Sequence, residues 1–470
     1  MLLNINPYAV RGETAADALT EAERADLQRL IQVFTSHVSS NTVKKKYYEG
    51  KISLSSVNLG IALPQELSRL EIGCAWGAKT VDVLAGLSMF DGFVDENGQA
   101  ADEINEIVRA NRLVDAYNKS SRDELLFGCT FATLSGDDEI GCKIRYHSPM
   151  TAAGLWDGEK DRIACGLAVI DTAPDSTVEN VWSPSLVNYY RDDCILVMRR
   201  TGSAWTAKRH AHQMGRPMME PMVWNATSDK PFGRSRLKAP VRRLIQGYVR
   251  TIANATIGLE FATSPQKYLL GVTDKQYDAV VSQKFRQYVG SILTSTANPE
   301  TGENPVFGQL PQGNITPHVE MIRILATQFS AATGLTVTDT GVVNDANPTS
   351  SDAILAQSRT LTGMAEQLNT GNGEALQRIA LMALAIKNNC TMEELSEEQR
   401  AVMPHFKNPA MPSVAVTADA AVKIASVRQD FADTDVFLEM LGFSQADIRR
   451  IRAGEQRSRG RRTIEEMDLE

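Results

Sequence analysis

The chain has 470 residues, a formal net charge of −8, 43% hydrophobic residues and 23% charged residues. Such a composition is ordinary for a globular chain with a sizeable core, and the length corresponds to about three domains' worth of material. The acidic balance argues against a simple nucleic-acid binder, which is usually basic overall, but not against a protein that lets DNA slide past without gripping it. No run approaches the ~18 uninterrupted apolar residues of a membrane span, and Met1-Leu2-Leu3-Asn4 opens no apolar segment of signal-peptide length. The cysteines, Cys74, Cys129, Cys142, Cys165, Cys194 and Cys390, show no C-x-x-C spacing. Reduced, mostly buried thiols made in a cytoplasm are therefore expected, not a zinc ribbon or redox motif.

Leu27, Leu30, Ile31, Phe34 and Val38 mark an amphipathic helix behind an acidic first turn, and Tyr47–Gly50 closes a second short element. Residues Ala75–Leu87 and Asp102–Tyr117 read as helices. From Leu125 to Ala211 the pattern turns to strands. Phe131–Leu134 and Ile140–Ile144 flank Gly136-Asp137-Asp138 as one hairpin, and Cys194–Met198 and Ala204–Thr206 flank Thr201-Gly202-Ser203 as another. Ala164–Ile170 is a third strand candidate, and Met214–Arg234, rich in Pro, Met and Gly, reads as a long connection.

The chain is organised around 232–272. Val241, Leu244, Ile245, Tyr248, Ile252, Ala255 and Leu259 recur at helical spacing, with Pro240 in the first turn. A helix over Lys238–Glu260 spans roughly 35 Å at about 1.5 Å per residue. Arg242, Arg243 and Arg250 on it could form salt bridges between subunits or face DNA, and contacts between subunits are expected, since packed helices leave little free surface. Thr263-Ser264-Pro265 breaks the pattern before one short strand, Tyr268–Val272. Lys275–Val289 reads as a short helix, and Thr294–Gly313, with its alternating Pro and Gly, as loop and turn. Thr316 and Pro317 start a second helix with Val319, Ile322, Ala326 and Phe329 on one face. Gly334–Asn347 has no helical period; helix resumes near Ser350, and Gly371-Asn372-Gly373 is expected to interrupt or kink it. The tail reads as two helices, Ala418–Phe431 and Asp435–Arg452, and then mixed charge.

Few residues suggest chemistry. Gly73-Cys-Ala-Trp-Gly77-Ala78-Lys79-Thr80 looks like a phosphate loop but fails on spacing, because the working motif needs four residues between the glycines and the Lys directly after the second. His210 and His212 could share a metal in a strand, but Lys208 and Arg209 beside them repel a cation. Asp137-Asp138-Glu139 reads as a solvated turn. No catalytic group, cofactor or metal is expected. The arginines Arg449, Arg450, Arg457 and Arg459 are the candidates for phosphate contact, against a solvated tail.

Four short words stand in one order: Tyr47-Tyr48-Glu49-Gly50-Lys51, the stretch 232–272, Phe307-Gly308-Gln309-Leu310-Pro311, and Asn347-Pro348-Thr349-Ser350-Ser351-Asp352-Ala353-Ile354. Together they resemble the portal proteins of tailed bacteriophages, of the long-tailed siphovirus type, over most of the chain and fading after Asn389. The resemblance implies an α+β portal fold: wing (1–235), first stem helix (236–260), clip (261–314), second stem helix (315–333), tunnel loop (334–349), a long kinked helix returning to the wing (350–412) and crown (413–470).

It further implies a twelve-subunit ring at one capsid vertex, made in the host bacterial cytoplasm, with no membrane part. Double-stranded DNA passes through its channel; the large terminase subunit and later a head–tail adaptor dock on it, beside major capsid and scaffold proteins. On this reading Val241, Leu244, Ile245, Ile252, Leu259, Val319, Ile322 and Phe329 pack the stem. Lys284, Arg286 and Glu300 of the clip meet partners, and Thr336, Thr338, Asp339, Thr340, Asn344, Asp345 and Asn347 face DNA. The competing readings are another head-closure or minor capsid protein, and a nucleotide-dependent DNA-processing enzyme built on Gly73–Thr80.

Overall fold

A computed structural model describes residues 3, 5–53, 71–96, 98–174, 182–263, 267–271, 273, 302, 304, 306–309, 314–342, 351–410, 414–443, 447–448 and 450–458. In chain order it begins with strand β1 (Arg11–Gly12) and helix α1 (Glu21–Tyr48). Helix α1 is one element where two were expected. Its start is a capping box: Glu23 N–H donates to Thr20 Oγ1 (3.3 Å) and Thr20 N–H to Glu23 Oε2 (2.8 Å). Strands β2 (Ile52–Ser53) and β3 (Glu71–Ile72) precede α2 (Trp76–Leu87) and β4 (Phe90–Val94). The helix expected over Asp102–Tyr117 is two, α3 (Asp102–Ala110) and α4 (Leu113–Phe127), because Arg112 between them takes a left-handed conformation (φ 49°).

The strand region holds more strands than the hairpin signals mark: β5 (Cys129–Asp137), β6 (Gly141–His147), β7 (Ala152–Asp157), β8 (Arg162–Pro174), β9 (Trp182–Tyr190), β10 (Cys194–Thr201) and β11 (Ala204–Ala211). The expected connection over Met214–Arg234 contains β12 (Met219–Val223). Its methionines enter the core, and its Pro221 is tolerated because β12 lies at a sheet edge. Helix α5 (Ala239–Thr263) follows, then β13 (Lys267–Leu270), β14 (Val306–Gln309) and α6 (Thr316–Thr333). Thus 306–309 is strand rather than loop, while the helix expected at Lys275–Val289 lies outside the described residues.

Helix α7 (Ser351–Lys387) runs unbroken through Gly371-Asn372-Gly373. Two glycines cost about 1 kcal/mol each against Ala, and packing outweighs them here. Asn372 is buried and donates to Glu124 Oε2 (2.8 Å) and Tyr117 Oη (3.1 Å). After α8 (Glu397–Arg400), β15 (Met403–Phe406) and α9 (Val414–Val427), helix α10 (Asp435–Met440) stops before Gly442 (φ 89°). The expected single helix to Arg452 is therefore interrupted, and 450–458 is helical again.

The chain forms two compact units, Met1–Lys51 with Cys74–Arg243 and Phe329–Glu470, and Ile52–Gly73 with Leu244–Gln328. The first unit carries a six-stranded sheet, β1-β11-β10-β9-β8-β7, antiparallel but for the parallel β1–β11 pair. Alternation along these strands serves two cores. Leu167, Tyr189, Leu196 and Met198 face Leu27, Leu30 and Phe34 of α1. Ala168, Tyr190 and Ile195 join a second core with the sheet β12-β5-β6 and helix α7. With both faces covered, the run Cys194–Met198 reads as continuously apolar. The buried Glu23 of α1 pairs with Arg209 of β11 (2.9 Å), fastening helix to sheet.

In the second unit β13 pairs with β14, Lys267 opposite Gln309, and β2 with β3. Ile245, Val249 and Ala253 of α5 and Leu325 and Ala326 of α6 are buried. A Cβ placed on Gly247 of α5 would come 3.2 Å from Leu325 Cδ2, so the glycine permits that approach.

Candidate functional site

The two helices around the β13–β14 segment are anchored at a common junction in the first unit, where α5 begins and α6 ends. Its centre is Arg236, which the sequence reading missed. The guanidinium is buried; Nε donates to Thr80 O of α2 (2.7 Å), Nη2 to Thr333 O at the end of α6 (2.6 Å) and Nη1 to Met364 Sδ of α7 (3.3 Å). It stacks 5.9 Å from the centroid of the Trp224 ring. Burial pushes its pKa down to about 10, so it stays charged at neutral pH while carbonyl dipoles solvate it. Only composition could hint at such a residue, because its acceptors come from three distant segments.

Trp76 of α2 forms the next layer. Its ring lies 4.7 Å from that of Phe329, and its Nε1 donates to Thr340 O (3.0 Å). The first part of the expected tunnel loop is therefore held in place. Gly334 turns the chain out of α6 with φ 76°, Leu335 is buried, and Thr338–Thr340 is a short 3-10 helix. Asp339 Oδ2 accepts from Thr336 N–H (2.9 Å) and Thr336 Oγ1 (2.8 Å), and Asp339 N–H returns a bond to Thr336 Oγ1 (3.2 Å). Buried Leu335 and the Trp76 bond anchor this half of the segment. Asn344, Asp345 and Asn347 lie outside the described residues, as do Lys284, Arg286, Glu300, Arg449 and Arg459.

The residues expected to pack the stem divide by burial. Val241, Ile245 and Phe329 are buried within the chain, and Leu244, Ile252 and Ile322 are half-buried. Leu259 and Val319 are 45% and 43% exposed. The side chains that complete the buried faces, Val249, Ala253 and Leu325, sit one step around the helices from the expected stripe. Arg450 and Arg457 are exposed, Arg450 lying 3.8 Å from Asp447 and Arg457 Nε donating to Ala453 O (3.1 Å).

The Gly73–Thr80 run has a packing explanation. A Cβ on Gly77 would fall 2.1 Å from Tyr47 O, so this glycine lets α2 touch the end of α1. His210 is exposed while His212 is half-buried with Met214 N–H on its Nδ1 (3.4 Å), and the described residues hold no cluster of metal-binding side chains. No helix among the described residues is long and apolar enough to cross a membrane. The described cysteines are free thiols, all buried except the half-buried Cys390.

Residues 27–459 match the family described as phage portal protein, SPP1 Gp6-like. The chain belongs to this family. It is also 22% identical over 428 residues to the portal protein of Mycobacterium phage D29, spanning 88% of this chain and 84% of that protein. Among solved structures it is similar to a chain of the neck of an empty GTA particle computed with C6 symmetry, at 13% identity and a TM-score of 0.48, covering 81% of this chain and 95% of that one. For the neck of a native GTA particle computed with C12 symmetry the values are 11% identity, a TM-score of 0.46, and 78% and 89% coverage. The expected portal membership thus holds across nearly the whole chain, with mixed helix and sheet content. Membership gives it a structural role as a component of a phage virion.

Proposed function

We propose that this portal-family chain assembles as a twelve-subunit ring at one capsid vertex, through which double-stranded DNA is packaged and ejected. Helices α5 and α6 form the stem, 261–314 the clip, the first 235 residues the wing, and 413–470 the crown. The clip, with Lys284, Arg286 and Glu300, receives the large terminase subunit and later a head–tail adaptor, while major capsid and scaffold proteins surround the ring. The tunnel loop, 334–349, narrows the channel around DNA.

The observation that carries this reading is the apolar surface left on the two helices. Leu259 on α5 and Val319, Met321 and Ile324 on α6 are each 43 to 51% exposed within the single chain. Large apolar side chains left open along both helices support an interaction surface, and a neighbouring copy supplies the cover. The acidic balance of the chain supports a channel that does not hold DNA, since each neutralised phosphate would add affinity. Residues 334–342 carry Asp339 and no Lys or Arg, which supports the same reading.

Negative-stain images of the purified chain test the ring. Closed rings with a central hole are expected; compact monomers at all concentrations overturn it. For the tunnel loop, phage carrying Asn344→Lys, Asp345→Lys and Asn347→Lys together is expected to package shortened genomes. Full-length, stably retained genomes would remove this loop from contact with DNA.

A further inference from the structure

A cavity of about 390 Å³ in the first unit, with no acidic side chain in its lining, has no role in the reading above. Its floor is apolar: Val33 and Phe34 of α1, Phe127 at the end of α4, Phe131 of β5, and Phe232. Two cations reach into it from different helices. Lys44 of α1 is half-buried and donates to Asn41 Oδ1 (3.0 Å) and Phe127 O (3.1 Å), both uncharged. Arg242 of α5 stacks 5.9 Å from the Tyr47 ring centroid, and its buried Nε has no hydrogen-bond partner. Lys230, Arg234 and Lys238 stand exposed at the rim, and no lining residue is Asp or Glu. At the rim Asp229, itself exposed, lies 3.6 Å from Arg234 and also acts on the neighbouring Lys230.

In a chain of net charge −8, five cations around one cavity with no carboxylate in its wall is an unbalanced arrangement. Cations withdrawn from water without a counter-charge are costly unless an anion compensates them. Burial, together with the neighbouring Arg242, already pushes the Lys44 ammonium down. A bound carboxylate would satisfy both Lys44 and the free Arg242 Nε. The aromatic floor selects for an apolar body on the ligand and disfavours a nucleic-acid backbone. The spread of three further cations along the rim calls for several anionic groups in a row, not one headgroup. We propose that this cavity is a docking site for an acidic segment of a partner protein that carries apolar side chains between its carboxylates.

The test uses the full chain and a fluorescein-labelled peptide, Ser-Glu-Leu-Glu-Phe-Asp-Leu-Glu, followed by fluorescence anisotropy. Saturable binding is expected, weakened by added salt. A control peptide of the same charge with Ser in place of Leu and Phe is expected to bind about tenfold more weakly. Lys44→Met with Arg242→Met should weaken the apolar peptide by about tenfold. Because that pair could harm folding, Lys230→Glu with Lys238→Glu, both at exposed positions, provides a second variant and should lower affinity at least about threefold. Absence of saturable binding overturns the proposal, as do equal affinity for the serine peptide and indifference to both variants. Displacement of the peptide by a short DNA duplex at lower concentration than by unlabelled peptide would also overturn it, marking a nucleic-acid surface instead. None of these readouts depends on ring formation, so this proposal and the portal assembly fail separately.

Discussion

The junction around Arg236 and the outward faces of α5 and α6 belong to the same two helices, yet they are finished differently. At the junction each nitrogen of the buried Arg236 guanidinium finds an acceptor within the chain, and Trp76, Phe329 and Leu335 are buried. Farther along, Leu259, Val319, Met321 and Ile324 stay open to solvent. A residue satisfied by its own chain reports on folding; an apolar residue left open reports on what comes next. Substitutions in the two places should therefore be read by different instruments, one for stability and one for assembly.

The largest effect is expected at Arg236. Arg236→Met keeps much of the volume but leaves Thr333 O, at the end of α6, without its donor, and takes from Thr80 O the bond it holds besides its own helix ladder. An unsatisfied buried carbonyl costs about 1–3 kcal/mol, so a loss of that order is expected in urea denaturation of the subunit. A midpoint within error of the parent would show that the junction relaxes or hydrates freely.

On the open faces the pattern should invert. Ile324→Asp or Leu259→Asp places a charge where the single chain leaves the side chain about half exposed. The cost to the subunit should stay within about 0.5 kcal/mol, while ring yield in native mass spectrometry should fall sharply, because a subunit interface would bury that charge. Normal rings from both variants would place these side chains on a surface that no neighbour covers.

Much of this contrast could be read in advance, and the reasons for the failures are physical. Both helices, the hairpins and the order of short words were legible, because periodicity and turn chemistry are local. The continuous α1 was not. Residues 39–46 are mostly polar, and the buried Asn41 that bonds Lys44 breaks the apolar period. Strand β12 hid behind methionines and Pro221, a composition that reads as loop until a neighbouring strand is present. The unbroken α7 depends on Asn372 finding Glu124 and Tyr117, residues about 250 positions away. The Arg236 latch likewise joins Thr80 and Thr333, and no window of sequence contains such a triad.

A smaller effect should separate those folded cores by pH. Glu124 is fully buried, its named partner is the Asn372 amide, and burial pushes its pKa up to about 8 from 4.5. The folded state then holds a proton that the unfolded state releases, so this group's contribution falls as pH rises from about 4.5 and levels off above about 8. Between those limits the slope is on the order of 1 kcal/mol per pH unit. Glu124→Gln removes the titration while keeping the shape. The difference in denaturation midpoint between the variant and its parent should grow in the variant's favour from pH 5 to pH 8. A constant difference over that range would mean that Glu124 is ionised in the folded chain, with water or a cation beside it.

The smallest effect concerns the half of the proposed tunnel loop that the junction holds. Asp339 accepts two bonds from Thr336 and returns one through its backbone, closing the turn that presents Thr340 O to Trp76. Asp339→Ala removes both acceptances, a loss of about 1 kcal/mol by analogy with a helix cap. The turn carries little of either core, so this loss should remain local rather than lower the global stability. Hydrogen exchange at the amides of residues 338–341 should quicken by about fivefold, the equivalent of that free energy, and Trp76 emission should shift as its Nε1 loses a fixed acceptor. The urea midpoint should barely move, in contrast to Arg236→Met. A global loss as large as that of Arg236→Met would make the turn part of the junction's cooperative unit. Unchanged exchange would mean that the Trp76 bond alone holds the segment, and Trp76→Phe, which keeps the ring beside Phe329 but removes the donor, would then have to release it.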